Sequence, residues 1–304
     1  MKFPPPPPIT DALDALQHLM LPAAVASAFV FAAMLLLGRR WANFGAALAM
    51  VAGLLAGNWE KVPMPAVLTA SAWTHLPPYI VFLLVVGLVT QLLADAADRY
   101  ESLKSYRTGF TAAKWPTRAV MLALGAAPVI PADPGFDRTQ FYALFVAGSV
   151  ALWFALDRLA ECGHPAEVAA LVGLTALLGG GVMLYAHSAI FLDLATILGC
   201  ALLGVAVVSG GAKVDARGAI PAFVGVMPGL LVSGRVLTTS EVPVASFVLA
   251  AVAPLTLLPW LIPNLSRRKG PWPRVVRLVS VLVPLVVALV LAGRVESLPW
   301  EQDW

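Results

Sequence analysis

Asp193 is the acidic residue that lies clearly inside an apolar run, five residues into the stretch 189–209. Burying a charged carboxylate in hydrocarbon is costly, so an intramembrane acid is a functional candidate by default. Two basic groups are its candidate partners: His187, about one and a half helical turns before it, and Arg235, near the end of the run 218–238. Together they could carry a proton or hold a ligand. The alternative is a structural ion pair, or a carboxylate snorkelling to the interface from shallow depth.

His18, His75 and His187 all map to the outer side of the expected topology. Three imidazoles on one face could ligate a metal, a haem or a chlorophyll. Their spacing matches no ligand motif, and no cysteine or carboxylate completes a set, so interfacial histidines without a ligand are expected, with no cofactor and no metal. His164 sits alone in the turn Cys162-Gly163-His164-Pro165. Cys162 lies in a polar connection and Cys200 mid-run, so neither a disulfide nor a metal pair is expected. Asp157 and Arg158, followed by Glu161, read as capping or pairing groups at a helix end. A phosphate-binding Gly-Lys-Ser/Thr loop, a His-Glu-x-x-His helix and a Gly-x-Ser-x-Gly elbow are all missing from the sequence.

The elements that position these residues are membrane helices. The 304-residue chain is 60% apolar and 12% charged, whereas soluble domains carry about 25% charge. Windows 19–38, 41–59 and 242–266 hold no Asp, Glu, Lys or Arg. About 20 apolar residues suffice to cross the roughly 30 Å hydrocarbon core. Helices are the expected form, because each backbone polar group must be satisfied within its segment. The alternating ten-residue segments of a transmembrane barrel are not seen. The net charge of +3 sits in clusters between apolar runs, which argues for membrane topology and against nucleic acid as a partner.

The expected fold is an all-α polytopic membrane protein of about ten spans: 21–38, 42–59, 77–94, 118–132, 139–157, 167–186, 189–209, 218–238, 244–264 and 275–294. The fourth is short, with Pro128 and Pro131 in it, and is either spanning or re-entrant. Residues 1–20 form a separate N-terminal segment: five prolines at 4–8, then a short interfacial helix over Ile9–Met20 with Thr10 as N-cap. Only Lys2 precedes the first apolar run and Arg39 and Arg40 follow it, unlike a secretory signal. Fifteen of the twenty basic residues fall on one side of this topology and five on the other. The positive-inside rule makes the rich side cytoplasmic and puts both termini outside. Tryptophans 41, 59, 73, 115, 153, 260, 272, 300 and 304 fall at or near span ends, as interfacial indoles do. Fourteen Arg against six Lys, with abundant Ala, Pro and Gly, suggests a GC-rich genome and a bacterial inner membrane.

An internal parallel repeat of spans one to four (21–132) and seven to ten (189–294), with a middle pair at 139–186, is also expected. Trp115-Pro116 recurs as Trp272-Pro273, and Arg118, Val120, Leu122 and Pro128 recur as Arg274, Val276, Leu278 and Pro284. Gly45, Ala49, Gly53 and Gly57 repeat every fourth residue, as do Pro221, Gly225, Gly229 and Ser233. Such small stripes serve helix packing, or a sliding interface between two halves. Pro221 and Pro228 are expected to kink their helix and free carbonyls, and Gly179-Gly180-Gly181 either unwinds its helix or packs it closely. Arg267, Arg268, Lys269, Arg274 and Arg277 serve topology and attract anionic lipid.

Three functions fit these residues. The first is permease-like movement of a small or lipophilic solute, suggested by the span count, the repeat and the Pro- and Gly-bearing helices. The second is a non-catalytic structural or assembly subunit of a larger membrane complex. The third is an interfacial lipid-processing enzyme using Asp193, His187 and His75 as acid–base groups. The partners expected are membrane lipids, with membrane-protein partners or a second copy of the chain.

Overall fold

The computed structural model describes residues 9–58, 107–126, 137–162, 165–238, 240–262, 265 and 270–296, and everything below concerns these. They form helices and short connections, with no strand. The helices are α1 (Ile9–Ala15), α2 (Leu21–Leu36), α3 (Ala42–Asn58), α4 (Arg107–Ala126), α5 (Arg138–Glu161), α6 (Pro165–Tyr185), α7 (Ala189–Ala212), α8 (Ile220–Leu237), α9 (Val244–Val252) and α10 (Pro271–Val295).

Seven helical stretches are long and apolar enough to cross a membrane: Leu13–Leu36, Arg138–Glu161, Pro165–Tyr185, Ala189–Ala212, Arg217–Leu237, Val244–Leu261 and Pro271–Val295. Ala42–Gly57 is apolar but shorter. The expected span 77–94 lies outside the described residues, as do 127–132 of the fourth and the proline run 4–8.

Local chemistry explains where elements begin and bend. A π-helical turn, Leu16–Met20, joins α1 to α2 without leaving helical backbone. α2 stops at Gly38, whose φ of 126° a side-chain-bearing residue adopts only with strain. α4 begins eleven residues before Arg118 and carries Pro116 inside it, so the Trp-Pro pair is not a helix boundary. Pro221 occupies the first turn of α8, where a missing N–H leaves no bond unmade, and only Pro228 lies in the interior. α9 tightens after Val252 into a 3-10 segment, Ala253–Leu261, bracketed by Pro254 and Pro259.

The buried centre is α6, α7 and α8, with α2 and α10 at the rim. α6 and α7 form the longest contact, while α2 and α3 pack on the far side of α7. Close approach rests on glycine. A Cβ at Gly199 would stand 2.8 Å from the Gly173 carbonyl oxygen, and one at Gly173 3.0 Å from that of Gly199. The two backbones of α6 and α7 thus touch at a reciprocal pair. On α3, a Cβ at Gly53 would meet Ala201 at 2.7 Å and the Ala23 carbonyl at 2.9 Å, and one at Gly57 would meet Ile197 at 2.7 Å. Gly45 faces Met34, and Ala49 is fully buried. Gly225, Gly229 and Ser233 are buried on α8. The triple glycine does not unwind α6. Gly179 admits Met227 of α8, Gly180 faces Ala195 and Leu192 of α7, and Gly181 faces Leu289 of α10, so three successive residues seat three different helices. Ser27 adds a polar staple by donating to the Ala24 and Ala201 carbonyls at 3.0 and 2.9 Å.

The two Trp-Pro motifs part company in the fold. Trp115 is half-buried and Arg118 fully buried, whereas Trp272 and Arg274 are exposed.

Candidate functional site

Three helices leave a groove between them, and one helical face of each lines it. α5 contributes Phe141, Leu144, Phe145, Gly148, Ser149 and Leu152, and α8 contributes Pro228, Leu231, Val232, Arg235 and Val236. Val244, Phe247, Val248, Ala251, Val252 and Leu255 come from α9 and its 3-10 extension. Each set follows the i, i+3, i+4, i+7 spacing of a single helix face. The cavity measures about 640 Å³, within the range of about 300–1,000 Å³ usual for ligand sites. Leu144, Val244 and Val248 on its walls are more than half exposed, at 72%, 54% and 51%, so the groove opens sideways. A Cβ added at Gly148, an exposed residue on this lining, meets nothing within 4 Å.

Arg235 is the only ionisable residue among the described residues of this lining. It lies in the last turn of α8, where the helix dipole favours a cation. Arg235 is half-buried, it shares the lining with the hydroxyl-bearing Ser149 and Thr238, and among the described residues no hydrogen bond or ion pair joins it to another group.

Of the sequence candidates, His187, Arg235 and Asp193 do not assemble. His187 occupies a left-handed turn, φ 55°, between α6 and α7, and its Nε2 stands 3.5 Å from Glu296 Oε2. The other Glu296 oxygen accepts the Glu241 backbone N–H at 2.7 Å. Glu296 therefore gathers the α6–α7 turn, the segment before α9 and the end of α10. Asp193 is half-buried one turn into α7, and neither His187 nor Arg235 bonds to it. His18 stands 3.6 Å from Asp14, one turn away on its own helix. His75, His164 and Arg267–Lys269 lie outside the described residues. Among the described residues no group of three or more His, Cys, Asp or Glu could hold a metal. Cys162 is exposed and Cys200 buried, both free.

Asp157, Arg158 and Glu161, expected to cap or pair, do form ion pairs at the opposite, arginine-rich end, but sequence reasoning missed their distant partners and the Arg277–Glu167 pair. Arg118 Nη1 on α4 donates to Asp157 Oδ2 on α5 at 2.9 Å, with 2% and 3% of the two side chains exposed. The guanidinium is stacked between Trp115 and Trp153, 4.7 and 4.4 Å from the ring centroids. Arg277 on α10 makes a two-pronged contact with Glu167 on α6, Nε and Nη2 donating at 2.5 and 2.8 Å, and lies 4.9 Å from the Trp260 ring. In both cases a carboxylate takes one edge of the arginine and an indole takes a face, a combination that lets a guanidinium stay out of water.

Between these pairs lies a polar cleft of about 880 Å³. Its carboxylates are occupied: Asp215 accepts from Arg217 and Asn43 at 2.6 and 3.1 Å, Glu161 from Arg217 and Arg158 at 2.9 and 3.1 Å, and Glu167 from Arg277. The network ties α3, α5 and the α7–α8 connection together. Chemically it is a clamp, since each acid already answers an arginine. Lys213 and Arg274 line the same cleft. The groove differs in carrying one cation and no carboxylate on its described lining. No family model, curated protein or solved structure matches this chain.

Proposed function

We propose that this chain is a permease-like membrane protein that moves a lipophilic solute, and that the groove between α5, α8 and α9 is where the solute lies. The carrying observation is the groove itself: about 640 Å³, open sideways, with free volume at Gly148. Such a cavity is reached from within the bilayer, not through a water-filled pore. Its α8 and α9 walls carry the features that let helices bend, Pro228 and the 3-10 segment after Val252. The ion-paired end supplies the complementary part, a fixed base against which those helices can rock.

In this reading the seven long helices, Ala42–Gly57, the helix completed by 118–132 and the stretch 77–94 make ten spans. The arginine-rich end faces the cytoplasm of a bacterial inner membrane by the positive-inside rule. The test is gentle purification from the native membrane, followed by mass spectrometry of everything retained. A self-sufficient chain holding a lipid or other lipophile is expected. A fixed set of partner proteins at constant stoichiometry would replace this reading with that of a subunit in a larger complex.

A further inference from the structure

The groove has a polarity along its length. Its α5 face runs from Phe141 to Leu152, eleven residues or about 16 Å at 1.5 Å per residue. That is about half of a 30 Å hydrocarbon core, the depth of one leaflet. Arg235 stands at the mouth of this length. It is two residues from the end of α8 and shares the lining with Phe141, near the start of α5, and Val244, at the start of α9. In the permease reading this puts the cation at the head-group end of the groove, with the apolar walls running inward from it for the length of a lipid chain.

We infer that the occupant is an acyl-chain lipid with an anionic head group, taken sideways from the leaflet at the Arg235 end, with the head on Arg235 and the chain along Phe145, Gly148 and Phe247. This rests on the permease reading and names the solute class. Charge complementarity selects the head: a guanidinium without a carboxylate partner binds carboxylate or phosphate in charge-assisted, two-pronged fashion, and a cationic head is repelled. Groove depth selects the tail. An uncharged lipophile would offer the guanidinium no charge-assisted contact.

The test is equilibrium photolabelling of the purified full-length protein in lipid nanodiscs, which needs no transport. Three probes share one photoactivatable acyl chain and carry a carboxylate, an uncharged alcohol or a trimethylammonium head; labelled peptides are mapped. The carboxylate probe is expected to label α5 and α9 at about tenfold lower concentration than the other two, the size of one charge-assisted contact. Arg235→Gln should abolish that preference while the groove still labels. Gly148→Leu, which fills open space, should suppress all three probes. Equal labelling by the three heads, or a carboxylate preference that survives Arg235→Gln, overturns the anion assignment and leaves the groove as a lipophile site. Labelling by none of the probes overturns both.

Discussion

Arg118 and Asp157, 39 residues apart, meet at 2.9 Å with almost nothing of either side chain exposed, and the arginine is stacked between two tryptophans. The pair fastens α4 to α5, the helix that forms one wall of the groove. Removing one partner leaves a buried charge, which costs about 3–5 kcal/mol. Asp157→Asn is therefore expected to lower the unfolding midpoint of the purified protein sharply. The double variant Arg118→Leu/Asp157→Leu should recover much of that loss, read by tryptophan fluorescence during denaturation. Single and double variants equally unstable would contradict an ion-pair role.

Arg277 and Arg274 are three residues apart on α10, and only the first is buried. Arg277→Lys keeps the charge but loses the two-pronged contact with Glu167 and the stacking on Trp260. A loss of about 1–3 kcal/mol is expected, against under about 0.5 kcal/mol for Arg274→Lys at the surface. Matched denaturation curves for the two variants check this, and indistinguishable midpoints would speak against the clamp.

Glycines at contacts and at the groove should answer differently to the same added methyl. Gly199→Ala drives a Cβ against the Gly173 backbone, and overpacking of this kind costs about 1–3 kcal/mol. Gly148→Ala meets open space, and by helix propensity it should be neutral or gain up to about 1 kcal/mol. Yields of folded protein from detergent extraction, followed by thermal melts, would reveal the opposite signs.

The two cysteines report topology. Cys162 is exposed at the arginine-rich end and Cys200 is buried among α7's neighbours. A membrane-impermeant maleimide is expected to label Cys162 in inverted vesicles and to spare it in right-side-out ones, with Cys200 unlabelled in both. Labelling of Cys162 from outside would invert the orientation.

Much of the fold was legible from charge-free windows, because hydrocarbon demands long apolar helices and hydropathy reads that directly. Helix bounds were less legible: α4 begins eleven residues before the expected span start at 118 and carries Pro116 inside it, and Pro221, expected to kink its helix, sits in the first turn. The site was harder. Arg118 and Arg277 look like ordinary flanking cations in one dimension. Asp157 reads locally as a capping or pairing group, but nothing local joins it to Arg118, or Glu167 to an arginine 110 residues away. Arg235 drew notice only as a partner for Asp193. Its place on an apolar groove depends on three helix faces converging, and each face alone reads as ordinary core spacing. Gly173 and Gly199 were overlooked for the same reason, since a reciprocal contact needs both helices to be seen together.

The most direct test of the account is transfer of a fluorescent acyl carboxylate between leaflets of proteoliposomes, followed by quenching from one side, for the native chain and for Gly148→Leu. The account predicts protein-dependent transfer by the native chain and none by Gly148→Leu, with the two proteins equally stable and equally incorporated. Transfer no faster than in protein-free liposomes, or transfer by Gly148→Leu at the native rate, would contradict it.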